Sequence, residues 1–214
     1  CRTMTSRQLL SVGDDRFRVG PWHADERIAY LALQPLLGRP SVEGLRGCLH
    51  RLAEAGYSSV ITSALHPSEA RSFNEAGFVE YDRLRVLSHD LRNISPPHRP
   101  LAAPVRLRRA RRRDKVSALV VDARAFPTFW RLDRTAMAEA EQATPATRFR
   151  VAVNPAAGSS DGRVVGYAIT GRGSGQGFLQ RLATDPDVAG NGIGTALVLD
   201  ALQWAARRRC GRLL

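Results

Sequence analysis

Three glycines near the end of the chain constrain its fold more than any other feature. Gly190, Gly192 and Gly194 lie between an apolar segment, 177–184, which ends at an Asp-Pro pair, and a segment with helical apolar periodicity. Glycines leave the backbone N–H groups accessible, and the N–H groups of a helix's first turn have no partners within the helix. The pattern therefore predicts a strand, a glycine loop and a helix whose N-terminus can bind an anion such as a pyrophosphate.

The spacing of these glycines excludes two common phosphate-binding motifs. A Walker loop ends in Gly-Lys-Ser/Thr, but the only lysine of the chain is Lys115, far from the loop. A dinucleotide-binding turn has the spacing G-x-G-x-x-G/A, and Thr195 and Leu197 stand where its last residue would fall. From the residues alone, the remaining alternative is a left-handed turn that only starts a helix.

The segment from Leu182 to Thr195 resembles the acyl-CoA site of the GNAT superfamily of N-acyltransferases. That family has a Leu-Ala-Val-x-Pro-like strand end followed by Arg/Gln-x-x-Gly-x-Gly/Ala, and the chain has Leu182-Ala183-Thr184-Asp185-Pro186 and then Ala189-Gly190-Asn191-Gly192-Ile193-Gly194. Ala189 departs from the usual Arg or Gln, so we expect weaker pyrophosphate binding. The resemblance implies acetyl-CoA as co-substrate, its thioester polarised by backbone N–H groups near Leu182, Ala183 and Thr184. Its pyrophosphate would be held by Ala189, Gly190, Asn191, Gly192, Ile193, Gly194 and Thr195.

The residues upstream of the loop have the order of elements of the same fold. We expect a strand at 105–109, helices at about 112–126 and 131–142, and strands at 148–153, 163–170 and 177–184. The expected inner face of the first helix consists of Val116, Leu119, Val120 and Ala123. The predicted fold class is α/β (α+β), a GNAT-like mixed and mostly antiparallel sheet flanked by helices. Phe126, Phe129 and Trp130 lie where the resemblance implies one wall of the acceptor site, and a role in the core explains them at least as well.

The first hundred residues resemble the back half of a second GNAT domain. We expect a helix at 42–55, a strand at 58–62 and a closing strand at 79–91, while 66–78 is similar to the end of the family's last helix. Phe73 stands where that helix often carries a tyrosine, and a phenyl ring cannot donate a proton. We therefore predict a catalytically silent half, as in tandem GNAT proteins. The rival arrangement is a permuted single domain in which residues 58–91 complete the sheet of the second half.

The expected domain organisation has three parts. A degenerate GNAT-like half covers 1–92, and an acyl-CoA-binding GNAT domain covers 105–214. Between them, four of the twelve residues at 93–104 are proline, which favours an extended linker. Because only three residues follow Gly211, we expect the second domain to lack its last strands and helix.

Composition and charge limit the remaining classes. The three cysteines and five histidines have no metal-ligand or disulfide-framework spacing, so we expect no metal and a reducing compartment, the cytoplasm. We find no apolar run long enough to span a membrane and no secretory signal. The net charge of +12 and the six arginines within 106–113 could serve RNA or ribosome binding, but no aromatic platform accompanies them. We rank a nucleic-acid partner below an acidic co-substrate.

The main functional prediction is transfer of an acetyl group from acetyl-CoA to a primary amine of a small molecule or a protein. The base is left unassigned, because Gln180 and Arg181 are expected to face opposite sides of their strand and neither is a convincing base. Whether the chain is itself an enzyme stays open. One alternative is a silent tandem GNAT-like module that binds CoA or a partner without turnover, and another is an arginine-rich RNA or ribosome binder. An exposed sheet edge would also permit pairing with a second copy of the chain.

Overall fold

The computed structural model describes residues 7–23, 25–33, 39–92, 105–155 and 162–214. The chain divides into two compact units, Cys1–Arg85 and Val86–Leu214, which we call unit 1 and unit 2. The predicted linker at 93–104 lies outside the described residues. The arrangement as two GNAT-like halves therefore stays a prediction.

Unit 1 contains a four-stranded sheet and two helices. The strands are β1 (Gln8–Val12), β2 (Asp15–Trp22), β3 (Asp25–Leu33) and β4 (Ser59–Thr62), and the helices are α1 (Val42–Glu54) and α2 (Ala70–Glu75). The sheet order is β1-β2-β3-β4, with β4 parallel to β3 because α1 crosses between them. The helix predicted at 42–55 and the strand predicted at 58–62 are confirmed. Phe73 is buried in the core with Phe17, Leu31 and Leu45.

The N-terminus of α1 is closed by side chains of unit 1 itself. The Ser41 hydroxyl accepts a hydrogen bond from the Gly44 N–H at 2.9 Å, which is an ordinary N-cap. One oxygen of Asp15 accepts from the Ser41 N–H at 3.1 Å and from the Ser41 hydroxyl at 2.6 Å. A Cβ on Gly44 would lie 2.0 Å from that carboxylate, so glycine is needed there for the approach. A carboxylate therefore already lies at this helix end.

The closing strand predicted at 79–91 is largely wrong. Only β5 (His89–Asp90) is a strand, it belongs to unit 2, and 78–88 form no regular structure. Val79, Tyr81, Leu84 and Val86 are between 60% and 86% exposed. These side chains supply the apolar content of a strand, but a strand also needs a neighbour that accepts its backbone hydrogen bonds.

Unit 2 is a six-stranded mixed sheet with helices on both faces. Its further strands are β6 (Arg106–Arg109), β7 (Ala146–Asn154), β8 (Arg163–Gly173), β9 (Gln176–Thr184) and β10 (Arg212–Leu213), and its helices are α3 (Asp114–Ala125), α4 (Arg134–Gln142) and α5 (Ile193–Arg207). The sheet order is β5-β10-β9-β8-β7-β6, and only the β9–β10 pair is parallel. The predicted order from β6 to α5 and the predicted fold class are confirmed. Helices α3 and α4 pack on one face of the sheet, and α5 packs on the other.

The inner face of α3 differs from the prediction. Val116 and Val120, predicted to point inward, are 54% and 56% exposed, while Ala118 and Val121 are buried. The true inner face also contains Asp114 and Asp122, which are buried as well. Apolar periodicity cannot identify a face on which two buried positions are carboxylates paired with strand arginines.

Candidate functional site

The loop between β9 and α5 has the backbone that the glycines predict. Gly190 and Gly192 have φ angles of 81° and 76°, in the left-handed region that strains any residue with a side chain. A Cβ on either glycine would meet no atom within 4 Å, so the space beside both is open. Gly194 has no positive φ, and a Cβ there would make ordinary contact with Thr184 at 3.7 Å. Two of the three glycines are therefore required by the loop conformation.

The first turn of α5, which follows this loop, has backbone N–H groups without intrahelical partners. Gly192 is the N-cap and has no side chain that could accept from them. The Ala196 N–H donates to the Gly192 carbonyl at 2.9 Å, so the N–H groups of residues 193–195 precede the first intrahelical bond. Together with the helix dipole, these donors form a place where an anion is stabilised.

Residues 189–195 contain no cationic side chain, so the loop can offer an anion backbone donors but no side-chain charge. Ala189 is exposed and supplies only a methyl group where the family usually has Arg or Gln. The Asn191 side chain donates to the Val188 carbonyl at 3.1 Å and so closes the loop on itself. We expect the missing cation to weaken binding of a pyrophosphate without preventing it.

The start of the loop is fixed by a buried carboxylate that sequence reasoning passed over. Asp185 is 1% exposed and accepts from Arg124 at 2.8 Å and from Arg163 at 2.5 Å. Arg124 also pairs with Asp187 at 2.8 Å, and this hydrogen bond lowers the pKa of the Asp187 carboxyl. The Asp-Pro pair was visible in the sequence, but its two arginine partners lie far away along the chain.

Strand β9 contains a β-bulge at Gln180. Ile169 of β8 pairs with Arg181, and the next residue, Thr170, pairs with Leu179, so Gln180 is the extra residue. Gln180 reaches Thr144, which follows α4, and Arg181 reaches Asp122 on α3. The prediction that the two side chains face opposite sides is therefore wrong, because the bulge interrupts the alternation that the prediction assumed.

Arg181 and Asp122 are the centre of a buried hydrogen-bond network. Asp122 is fully buried and accepts from Arg181 Nε at 2.8 Å and Nη2 at 3.0 Å. It also accepts from the Tyr167 hydroxyl at 2.5 Å and from the Leu132 N–H at 2.7 Å. Burial raises the pKa of Tyr167, so its phenol stays protonated and donates. Neither Gln180, a neutral amide, nor Arg181, an ion-paired cation, is a general base.

The same arginine contacts the aromatic residues that follow α3. Its Nη2 donates to the Trp130 carbonyl at 2.7 Å, and its guanidinium carbon lies 3.5 Å from the centre of the Phe126 ring. The Phe129 and Trp130 rings meet edge to face at 5.0 Å, and both side chains are half-buried. We call residues 126–132 the aromatic segment. It is held against β9 at Arg181, directly before Leu182.

The arginine-rich stretch 106–113 is partly used within unit 2. Arg108 is 14% exposed and donates to both oxygens of Asp114, at 2.6 Å and 2.9 Å. This bidentate pair joins β6 to the start of α3 and reduces the positive charge that the stretch presents. No observation on these residues favours nucleic-acid binding.

Two classes of site are not found among the described residues. They contain no group of three or more His, Cys, Asp or Glu residues that could hold a metal ion. None of their helices is long and apolar enough to cross a membrane. Cys48 and Cys210 are both free and buried.

Comparison with solved structures defines the class of fold. Among the structures that are similar over most of the chain are a GCN5-related N-acetyltransferase from Kribbella flavida (14% identity, 97% of this chain and 78% of that chain, TM-score 0.55) and a GCN5-related N-acetyltransferase from Sphaerobacter thermophilus (16% identity, 94% and 66%, TM-score 0.52). The ribosomal-protein-S18-alanine N-acetyltransferase from Escherichia coli matches at 18% identity over 50% of this chain and 62% of that chain, with a TM-score of 0.41. The chain thus spans less than two thirds of the length of the Escherichia coli protein.

The family follows from the sequence of unit 2. The model of the acetyltransferase (GNAT) family matches residues 120–214, from within α3 to β10, so this part of the chain is a GNAT acetyltransferase domain. No curated protein matches the chain significantly. The predicted GNAT domain is confirmed for residues 120–214, and the predicted tandem arrangement stays a prediction.

Proposed function

We propose that the chain transfers an acetyl group from acetyl-CoA to a primary amine. The observation that carries this proposal is the open glycine loop at the N-terminus of α5, inside a GNAT acetyltransferase domain. In the proposed complex, backbone N–H groups within 190–195 bind the pyrophosphate of acetyl-CoA, since the Ala189 N–H already donates to the Pro186 carbonyl at 3.1 Å. The neutral amine attacks the thioester carbonyl, a carbon–nitrogen bond forms as the carbon–sulfur bond breaks, CoA leaves as the thiolate, and the proton lost from the amine nitrogen passes to that thiolate or to water.

The backbone of β9 is suited to the thioester end of acetyl-CoA. Residues 182–184 pair with β8 on one side. On the other side β10 pairs with β9 only near Gly177 and Leu179, so no described strand covers 182–184 there. Alternate backbone groups along an uncovered strand edge are free to bind a ligand. We propose that N–H groups of this stretch polarise the thioester carbonyl, which is the usual role of an oxyanion hole.

Calorimetric titration of acetyl-CoA tests the proposed site. We expect the parent chain to bind and Gly192→Asp to lose at least about tenfold in affinity, equivalent to ~1.4 kcal/mol, because a carboxylate enters the pyrophosphate site. Gly175→Asp is the matched control: Gly175 has a φ of 73° against 76° for Gly192, and both have open space around the missing Cβ. Equal affinity of the two variants would contradict the proposed site.

A second candidate is a module that binds CoA without turnover. Ala189 at the loop favours it, and so does Phe73, which is 1% exposed and packs edge to face on Phe78 at 5.2 Å in the core of unit 1. Binding of acetyl-CoA without any acetylated product from a panel of primary amines would favour this module over the enzyme.

A further inference from the structure

We propose that Arg181 and Asp122 are a positioning pair. The pair holds the aromatic segment 126–132 against β9, beside the proposed thioester site at residues 182–184, where the segment selects amines that carry an apolar group. This inference rests on the proposed function, and it assigns a role to Arg181 that is not that of an acid or a base. It is carried by the contacts of the Arg181 guanidinium, which joins α3, the aromatic segment and β9.

The first step is the direction of the Arg181 side chain. In a regular strand, the side chains of Gln180 and Arg181 would lie on opposite faces of the sheet. The bulge at Gln180 interrupts this alternation. With the bulge, Gln180 and Arg181 both point toward α3 and α4, while Leu179 and Leu182 pack with the α5 side. The guanidinium therefore lies on the face of the sheet opposite α5, one residue before the proposed thioester site.

The second step is the set of hydrogen bonds that the Arg181 guanidinium donates. Nε and Nη2 bind the two oxygens of Asp122, and Nη2 also donates to the Trp130 carbonyl. Asp122 in turn accepts from the Leu132 N–H. The aromatic segment is thus fastened at two backbone positions, one on each side of Arg131, by one ion pair.

A comparison within unit 2 shows what is particular to this pair. Arg108 and Asp114 also form a bidentate pair between a strand and α3, and the two arginine side chains are similarly buried, at 14% and 16% exposure. Asp114 binds backbone at Arg111, next to its own helix, whereas the Arg181–Asp122 pair binds a segment beyond the far end of α3. The first pair fastens a helix start, and the second fastens a segment beside the proposed reaction site.

The chemistry of the aromatic segment indicates the kind of acceptor. Phe129 and Trp130 form an edge-to-face pair that is only half-buried. A half-buried aromatic pair gains from further burial by an apolar group. The Trp130 carbonyl lies 2.7 Å from Nη2 of Arg181, the residue before Leu182, so an amine bound on the α3 side of the proposed thioester site would lie beside this pair, and an apolar substituent near the amine should lower its KM.

The test compares two amines at saturating acetyl-CoA, phenethylamine and ethylamine. Arg181→Lys keeps a cation beside Asp122 but lacks the planar fork that also reaches the Trp130 carbonyl. We expect the parent to prefer phenethylamine, and Arg181→Lys to raise the KM for phenethylamine by about tenfold, a typical size for an altered apolar pocket. The KM for ethylamine and the acetyl-CoA affinity should not change.

Arg108→Lys is the matched control, and it should alter neither KM. Hydrogen exchange at the Leu132 amide gives a readout that needs no turnover, and we expect faster exchange in Arg181→Lys only. The proposal is overturned if Arg181→Lys raises both KM values equally, if Arg108→Lys has the same effect, or if a parent that binds acetyl-CoA shows no preference for phenethylamine. A parent that binds no acetyl-CoA would defeat the proposed function instead, and faster Leu132 exchange would still support the fastening.

Discussion

Asp114 shows at the scale of one residue how this chain uses its arginines. Its carboxylate is almost fully buried and accepts from Arg108 and from the Arg111 N–H at 2.6 Å. The hydrogen bond from Arg108 is the largest cause that lowers the pKa of Asp114, against burial, which raises it. The fold therefore favours the charged carboxylate more than the unfolded chain does.

The direction of this pKa shift predicts how stability depends on pH. A carboxyl with a lowered pKa in the fold contributes stability that is fully present above the unfolded value of about 3.9 and is lost as pH falls through the folded value. We expect Asp114→Asn to destabilise unit 2 at pH 7 and to flatten the loss of stability below about pH 4. Urea unfolding at both pH values measures this, and an unchanged pH profile in the variant would contradict it.

Helix α3 illustrates the element scale, because two adjacent valines on it have opposite environments. Val121 is 3% exposed, and Val120 is 56% exposed. We expect Val121→Ala to cost about 2 kcal/mol, from two buried methyl groups and the cavity that they leave. Val120→Ala should change the free energy of unfolding by less than about 0.5 kcal/mol.

The two variants share the same change in helix propensity, so their difference isolates burial. Thermal or urea unfolding of both variants, in parallel with the parent chain, measures the two changes in the free energy of unfolding. A larger loss for Val120→Ala would mean that the apolar face expected from the sequence is the true one.

The positions of helices and strands along the chain could be predicted from the sequence better than the side of each helix that faces the sheet. Glycine spacing and apolar alternation located α5 and strands β6 to β9, but not β5 or β10, and the buried positions Leu197, Ala201, Leu202 and Ala205 follow the helical periodicity of the segment after the glycine loop. On the same helix, Asp200 pairs with Arg148 at 2.9 Å and with Arg150 at 3.2 Å, both on β7. Ion pairs between distant residues leave no local signal, and the same holds for the arginines at Asp185.

The glycine loop was predictable for a different reason. Its conformation depends on residues that are neighbours in sequence. A left-handed φ favours glycine, so the conformation can be inferred from the glycines in the sequence. The bulge at Gln180 has no corresponding residue signal in the sequence, because it is defined by the pairing of β9 with β8. The roles of Gln180 and Arg181 therefore required the structure.

At the scale of the whole molecule, the two units share an order of elements. In each, three antiparallel strands lead into a helix and then into a strand parallel to the third: β1 to β4 with α1, and β7 to β10 with α5. The two helix N-termini differ. That of α1 has the Ser41 cap and the Asp15 carboxylate, and that of α5 has Gly192 as its N-cap, which offers no side-chain acceptor.

This difference predicts the stoichiometry of binding, if the proposed function holds. A carboxylate at the start of α1 repels a pyrophosphate that the same helix dipole would otherwise attract. We expect one acetyl-CoA per chain in a calorimetric titration. A stoichiometry of two would show that Asp15 does not block the first unit.

The extra residue in β9 also affects how this chain should be compared with others. Gly177 and Leu179 face α5, and so do Leu182 and Thr184, although odd and even positions of an uninterrupted strand lie on opposite faces. An alignment to a relative without the bulge needs a one-residue gap at Gln180. Without that gap, every position on one side of it is matched to a residue on the wrong face, and a substitution in a cleft would be mistaken for one in a core.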